Sequence, residues 1–307
     1  NLPPDPANQP RRCHPFNHTT RLHPTTPRAA SPGVSTKGIT MAQIIPVLEA
    51  VRNTTPLVHC MTNTVVPEVT ANVLLAAGAA PAMIDLPEEA EIFAGIASAL
   101  LINVGNGSAE QHEGMRRAAP AAAAAGRPWV LDPVAVGGLP VRTALARELL
   151  VYRPAAVRAN ASEVLGLVGN SGGGRGVDST DEVEAALDAA RSLVETSGAV
   201  VAISGPTDVV VSQGRLTRVT GGDALMPLVI GTGCALGAVT AAFIAAARTA
   251  GVSDHDGVVA AHALFGAAGR AAGREASAPG SFRTAWIDAL YSLTPSDVVE
   301  LVEIEES

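Results

Sequence analysis

The run Ile230-Gly231-Thr232-Gly233-Cys234 leads into the longest stretch of small apolar residues in the chain. A helix that begins there leaves its first N–H groups without intrahelical partners, and those groups together with the helix dipole favour an anion. Glycine on either side of Thr232 lets a phosphate approach the backbone closely. Gly231, Thr232 and Gly233 are therefore a candidate anion hole. A helix start also lowers a thiol pKa, which makes Cys234 a candidate base or nucleophile. The competing reading of so short a motif is a tight packing turn with a small buried residue.

Further polar groups follow apolar runs. Asp132 ends Trp129-Val130-Leu131, and Pro133 stiffens the exit. A carboxylate there suits magnesium, held largely through water, or a plain capping turn. Arg158-Ala159-Asn160-Ala161-Ser162-Glu163 offers a guanidinium for phosphate and a carboxylate for magnesium. Asn160 and Glu163 also have capping-box spacing, and the two readings are compatible. Ser204-Gly205 supplies a hydroxyl and bare backbone, suited to a nucleotide wall or an ordinary strand exit. Asn63 suits a small polar heterocycle. Met83 suits an adaptable apolar pocket or core filling. His59 and Cys60 lie inside an apolar run and read as core.

These groups need elements that aim them at one place. Short β-type runs at 57–60, 80–84, 99–104, 129–131, 156–158 and 200–204 alternate with helical runs at 44–51, 67–77, 87–94, 110–125, 143–150, 161–168 and 180–196. Gly78 and Gly126 stand where helix stops belong. Residues 208–211 and 216–219 read as a hairpin, and helices fill most of 233–304. Such alternation implies an α/β fold with a mostly parallel central sheet and helices on both faces. Ligands in such folds bind beyond the carboxyl ends of the strands, where every polar group above is placed. Gly169 to Gly176 reads as a glycine-rich loop.

The 307 residues are 47% hydrophobic and 16% charged, enough for one large core. A net charge of −8 and only 3% aromatic residues argue against nucleic acid as a partner. No apolar run reaches the roughly 20 residues of a membrane span, and Ala235 to Ala247 reads as a buried helix. Cys13, Cys60 and Cys234 have no metal or disulfide spacing, which fits a reducing, cytoplasmic location. Residues 1–40, rich in Pro, Thr, Arg and His, read as a disordered extension without a secretory block. Met41 follows, and translation starting there fits the composition as well as a functional extension does.

Together these segments resemble the hydroxyethylthiazole kinase family of the ribokinase-like superfamily. The likeness runs from about Ile44 to the C-terminus and rests on several stretches in order. They are Pro56-Leu57-Val58-His59-Cys60-Met61-Thr62-Asn63, Thr70-Ala71-Asn72, Ala79 to Met83, Leu131-Asp132-Pro133-Val134, the arginine segment, Gly231-Thr232-Gly233-Cys234 and Gly280-Ser281-Phe282. The resemblance implies a single ribokinase-like kinase domain over 41–307. It implies ATP-dependent phosphorylation of the hydroxyl of 4-methyl-5-(2-hydroxyethyl)thiazole, in thiamine salvage. It also implies a homotrimer with active sites at subunit interfaces. Met83 and Gly231 then contact the thiazole, Arg158 and Ser204 contact ATP, and Asp132 and Glu163 lie near Mg2+ and phosphate. Cys234 takes the place where most ribokinase-like relatives carry an aspartate base.

Two positions depart from the family pattern. Ser204-Gly205-Pro206 stands where Thr-Gly-Glu is usual, which puts nucleotide preference in question, and Ala159 stands for glycine. Two other classes compete: an ATP-dependent hydrate dehydratase on the same fold, and a non-catalytic thiazole-binding module. The Cys234 motif favours the kinase over the first. Asp132, Arg158, Glu163 and Cys234 together argue against the second, since binding a thiazole needs no phosphate apparatus.

Overall fold

The structure, a computed structural model, describes residues 41–169 and 179–307. The extension expected over 1–40 and most of the glycine-rich loop expected at 169–176 lie outside the described residues.

The chain alternates as the apolar runs require. Helix α1 (Met41–Thr54) precedes β1 (Leu57–Met61), α2 (Pro67–Ala77), β2 (Ala80–Ala82), α3 (Pro87–Ile96) and β3 (Ala99–Asn103). Then come α4 (Ala109–Ala124), β4 (Trp129–Asp132), α5 (Pro140–Leu149), β5 (Ala156–Asn160), α6 (Ala161–Val168), α7 (Ser179–Ser197) and β6 (Val200–Ser204). The hairpin β7 (Thr207–Ser212) and β8 (Arg215–Thr220) leads to α8 (Thr232–Thr249), α9 (Asp254–Glu275), α10 (Pro279–Ser292), α11 (Pro295–Leu301) and β9 (Glu303–Glu306).

One sheet runs β2-β1-β3-β4-β5-β6-β7-β8-β9. The strands from β2 to β6 are parallel, and β7, β8 and β9 continue it antiparallel. Side chains alternate between two cores, as the period of two in a strand demands. In β3, Leu101 joins the core under α1, α2, α8, α9 and α10, whereas Leu100 and Ile102 join the one under α3 to α7. Each face of the sheet is thus dry, which is why the parallel strands read as unbroken apolar runs.

Helix α8 is buried all round from Ala235 to Ala247. It is long and apolar enough to cross a membrane by length and composition, yet it packs inside the fold against α9, α1 and α2. Strand β9 was not expected, because its Glu-Ile-Glu-Glu run alternates exposed and half-buried residues at a sheet edge and carries no apolar block. It pairs Ile304 with Val219, and Arg215 of β8 holds Glu306 at 2.7 Å. Strand β2 stops at Ala82, two residues short of the expected run.

Candidate active site

The parallel strands deliver polar residues side by side at their carboxyl ends. Asn63 follows β1, Asn103 ends β3, Asp132 ends β4, Asn160 ends β5 and Ser204 ends β6. Asn103 pairs in register with Asp132, and Asn160 with Ser204. Helix α8 begins over this row. Its first ladder bond runs from the Ala235 N–H to the Gly231 carbonyl, so the amides of Thr232, Gly233 and Cys234 precede the ladder and are free to face an anion. Gly231 caps it at φ +91°, a left-handed conformation, and a Cβ there would meet Val66 at 2.9 Å. Both facts require glycine.

Arg158 stands against this helix start. A Cβ on Gly233 would lie 3.0 Å from Arg158 Nη1, so glycine lets the guanidinium approach the anion hole. The Arg158 Nε–H donates to Ser204 Oγ at 3.1 Å, and Nη1 lies 3.8 Å from Asp132 Oδ1. Two positive features, a guanidinium and a helix N-terminus, therefore converge on one spot.

Asp132 is fully buried. Its Oδ2 accepts from Asn103 Nδ2 at 2.8 Å, while Oδ1 has no hydrogen-bond partner. Burial pushes its carboxyl up to about 7; Arg158 and Asn103 pull it down and Glu163 adds to the rise. An unsatisfied buried carboxylate oxygen at this price is a feature to be explained by a ligand.

Glu163 is occupied on both oxygens. Oε2 accepts from the Asn160 N–H and Oε1 from the Ala135 N–H, each at 2.9 Å, while the Glu163 N–H donates to Asn160 Oδ1. The capping box is real, and it reaches further than its spacing suggests. It ties α6 to the loop after β4, where Ala135 holds φ +58°. Glutamine offers only one acceptor oxygen, so Glu163→Gln strands one of these amides. We expect a loss of about 1–3 kcal/mol in urea unfolding, whatever it does to the rate; an unchanged midpoint would show that the second amide bond is dispensable.

Cys234 corrects an expectation. Its thiol is not lowered by the helix start. Burial and then the Asp132 charge raise it to about 11, against smaller opposing effects of Asn103, Arg158 and Asn63. The dipole is local and weak, whereas burial acts on the whole thiolate. Asn63 Nδ2 approaches Cys234 Sγ at 4.0 Å, and Asn63 Oδ1 accepts from the Val65 N–H in a turn. Asn63 thus faces the thiol rather than open solvent. Thr232 Oγ1 is engaged with the Met226 and Val229 carbonyls, so its backbone amide, not its hydroxyl, is what it offers.

Met83 follows the edge strand β2, three strands along the sheet from the β4 that ends in Asp132, and is 36% exposed. His59 and Cys60 are buried, as expected of core. Among the described residues no group of three or more His, Cys, Asp or Glu side chains forms a metal cage. The donor set fits magnesium that keeps its waters and is held through substrate phosphates, with the open Asp132 Oδ1 as the protein's contribution. Asn103 was not singled out from the sequence; its signal was an amide closing an apolar run just before Gly105.

Residues 48–296 match the sequence model of the Hydroxyethylthiazole kinase family. The chain is 55% identical to the hydroxyethylthiazole kinase of Corynebacterium glutamicum (strain R) over 260 residues, covering 85% of this chain and 97% of that protein. It is 53% identical to that of Serratia proteamaculans (strain 568), covering 79% and 90%. The solved structure of a hydroxyethylthiazole kinase protein from Pyrococcus horikoshii OT3 superposes with a TM-score of 0.77 at 34% identity, covering 86% and 98%. Pyridoxal kinase from Staphylococcus aureus, at 18% identity and a TM-score of 0.57, shares the ribokinase-like fold alone, over 82% of this chain and 98% of that one.

Proposed function

Because this chain belongs to the hydroxyethylthiazole kinase family, we propose that it transfers the γ-phosphoryl group of ATP to the hydroxyl of 4-methyl-5-(2-hydroxyethyl)thiazole, in thiamine salvage. The observation that carries this reading is the convergence of Arg158, the open Asp132 oxygen and the free amides of 232–234 at one helix start. A thiazole-binding module has no use for that arrangement.

Phosphoryl transfer asks mainly for positioning and charge stabilisation. Arg158 and the three amides take up negative charge on the transferring group. Ser204 fixes the guanidinium. Asp132, with Glu163 behind it, would hold magnesium, which would supply further charge neutralisation on the phosphates. Cys234 keeps its proton at neutral pH and so acts here by orienting the alcohol. Deprotonation comes late in a loose transition state, and the alcohol proton passes to the transferred group's oxygens. Cys234→Ala should therefore cost less than about 10²-fold in kcat, below or at the low end of general-base effects. Iodoacetamide at pH 8 should label Cys234 slowly, read by mass spectrometry of its peptide. A loss of 10³-fold with fast labelling would restore the thiolate base.

Met83, Gly231 and Asn63 form the thiazole side of this reading, and the chain works as a homotrimer whose partner copy closes the site. Exposed Met83 and Leu86 after β2, and Ile92 and Ile96 on α3, support that interface. Light scattering at micromolar concentration should give three chains; a fully active monomer would remove it. ADP release that depends on the thiazole alcohol tests the function. Release that depends instead on a nicotinamide-cofactor hydrate would favour the dehydratase.

A further inference from the structure

Asp208 and His262 lie just behind the strand exit that carries Ser204. Strands β6 and β7 are joined by Gly205 and Pro206 alone, and their ladder stops at Ile203 with Val209. The turn is closed by a side chain instead: the Gly205 N–H donates to Asp208 Oδ1 at 2.9 Å. The other oxygen, Oδ2, lies 2.7 Å from Nδ1 of His262 on α9. A carboxylate only accepts, so Nδ1 carries the proton and donates. His262 is fully buried, and its Nε2 has no partner. An imidazole with an unsatisfied nitrogen costs stability that an aliphatic side chain would not.

We propose that Asp208 and His262 are positioning residues for the nucleotide, holding the Ser204-Gly205-Pro206 turn in place through the Gly205 amide. Ser204 in turn accepts from Arg158, so the chain of contacts runs from α9 to the guanidinium. Asp208 also feels Arg158 directly. Burial pushes its carboxyl up, but His262, the Gly205 N–H and Arg158 outweigh it and hold it below the usual carboxylate range. Pro206 has no N–H and cannot pin the turn itself. The inference rests on Ser204 being a nucleotide contact.

Calorimetric titration of the full chain with a non-hydrolysable ATP analogue, and separately with the thiazole alcohol, tests it. His262→Leu keeps the packing and removes the donor. It should weaken the analogue about tenfold and leave the alcohol within about twofold. His262→Asn places an amide N–H near the Nδ1 position and should recover most of the affinity. Asp208→Ala, at a partly exposed site, should match His262→Leu and serves if that variant fails to fold. Unchanged analogue affinity in either variant, or equal weakening of both ligands, overturns the positioning role. A parent chain that binds no analogue overturns the kinase reading itself.

Discussion

Arg158→Met should lower kcat/KM for ATP by about 10³–10⁵-fold, the range seen when a guanidinium that stabilises a transferring phosphoryl group is lost. The Arg158 side chain is 11% exposed, bonds Ser204, lies 3.8 Å from Asp132 and packs where a Cβ on Gly233 would stand. Its removal takes charge from the anion hole and leaves Ser204 without its donor. Arg158→Lys should recover little, because an ammonium cannot reach Ser204 and the anion hole together as a planar fork does. Steady-state kinetics alongside thermal melts check this. A loss below tenfold in a folded variant would mean that the guanidinium only braces Asp132.

Asp132→Asn should lose activity by roughly 10²-fold or more while gaining stability, an unusual pairing. The sign follows from the raised carboxyl. The folded state holds the Asp132 proton up to about pH 7, whereas the unfolded chain releases it near 4. The stability that this proton contributes is complete below about pH 4 and is lost as pH rises through 7. Asparagine does not titrate. The variant should therefore overtake the parent as pH rises from 4 to 8, by an amount on the order of 4 kcal/mol at most. Urea unfolding across that range, without nucleotide or magnesium, measures it. Equal pH dependence of the two proteins would show that Arg158 fully offsets the charge.

Much of the architecture was legible because local signals agreed with the fold. Helix α2 runs from Pro67 to Ala77, with proline at its first turn and Gly78 in the left-handed cap at φ +93°. Leu100, Leu101 and Ile102 read as a buried strand because both faces of the sheet are dry. Asp132 and Ser204 were legible as strand-end polar groups in a parallel sheet, whereas Arg158, expected at a strand end, lies in the middle of β5 because the strand runs on to Asn160. What was not legible depends on approach in space. The second bond of Glu163 needs the Ala135 loop to fold back. The rise of the Cys234 thiol needs its burial and the nearness of Asp132, neither of which a helix-start motif reveals. Asp208 and His262 are 54 residues apart and meet only because α9 crosses β7. Strand β9 lacked an apolar run because one of its faces is exposed and the other only half-buried.

The most direct measurement is 31P NMR of the full chain incubated with ATP, magnesium and 4-methyl-5-(2-hydroxyethyl)thiazole. The account predicts a phosphomonoester signal on the thiazole alcohol that grows one for one with ADP, and loss of that growth in Arg158→Met. ADP accompanied by inorganic phosphate alone, or no phosphomonoester from a chain that binds both ligands, would contradict it.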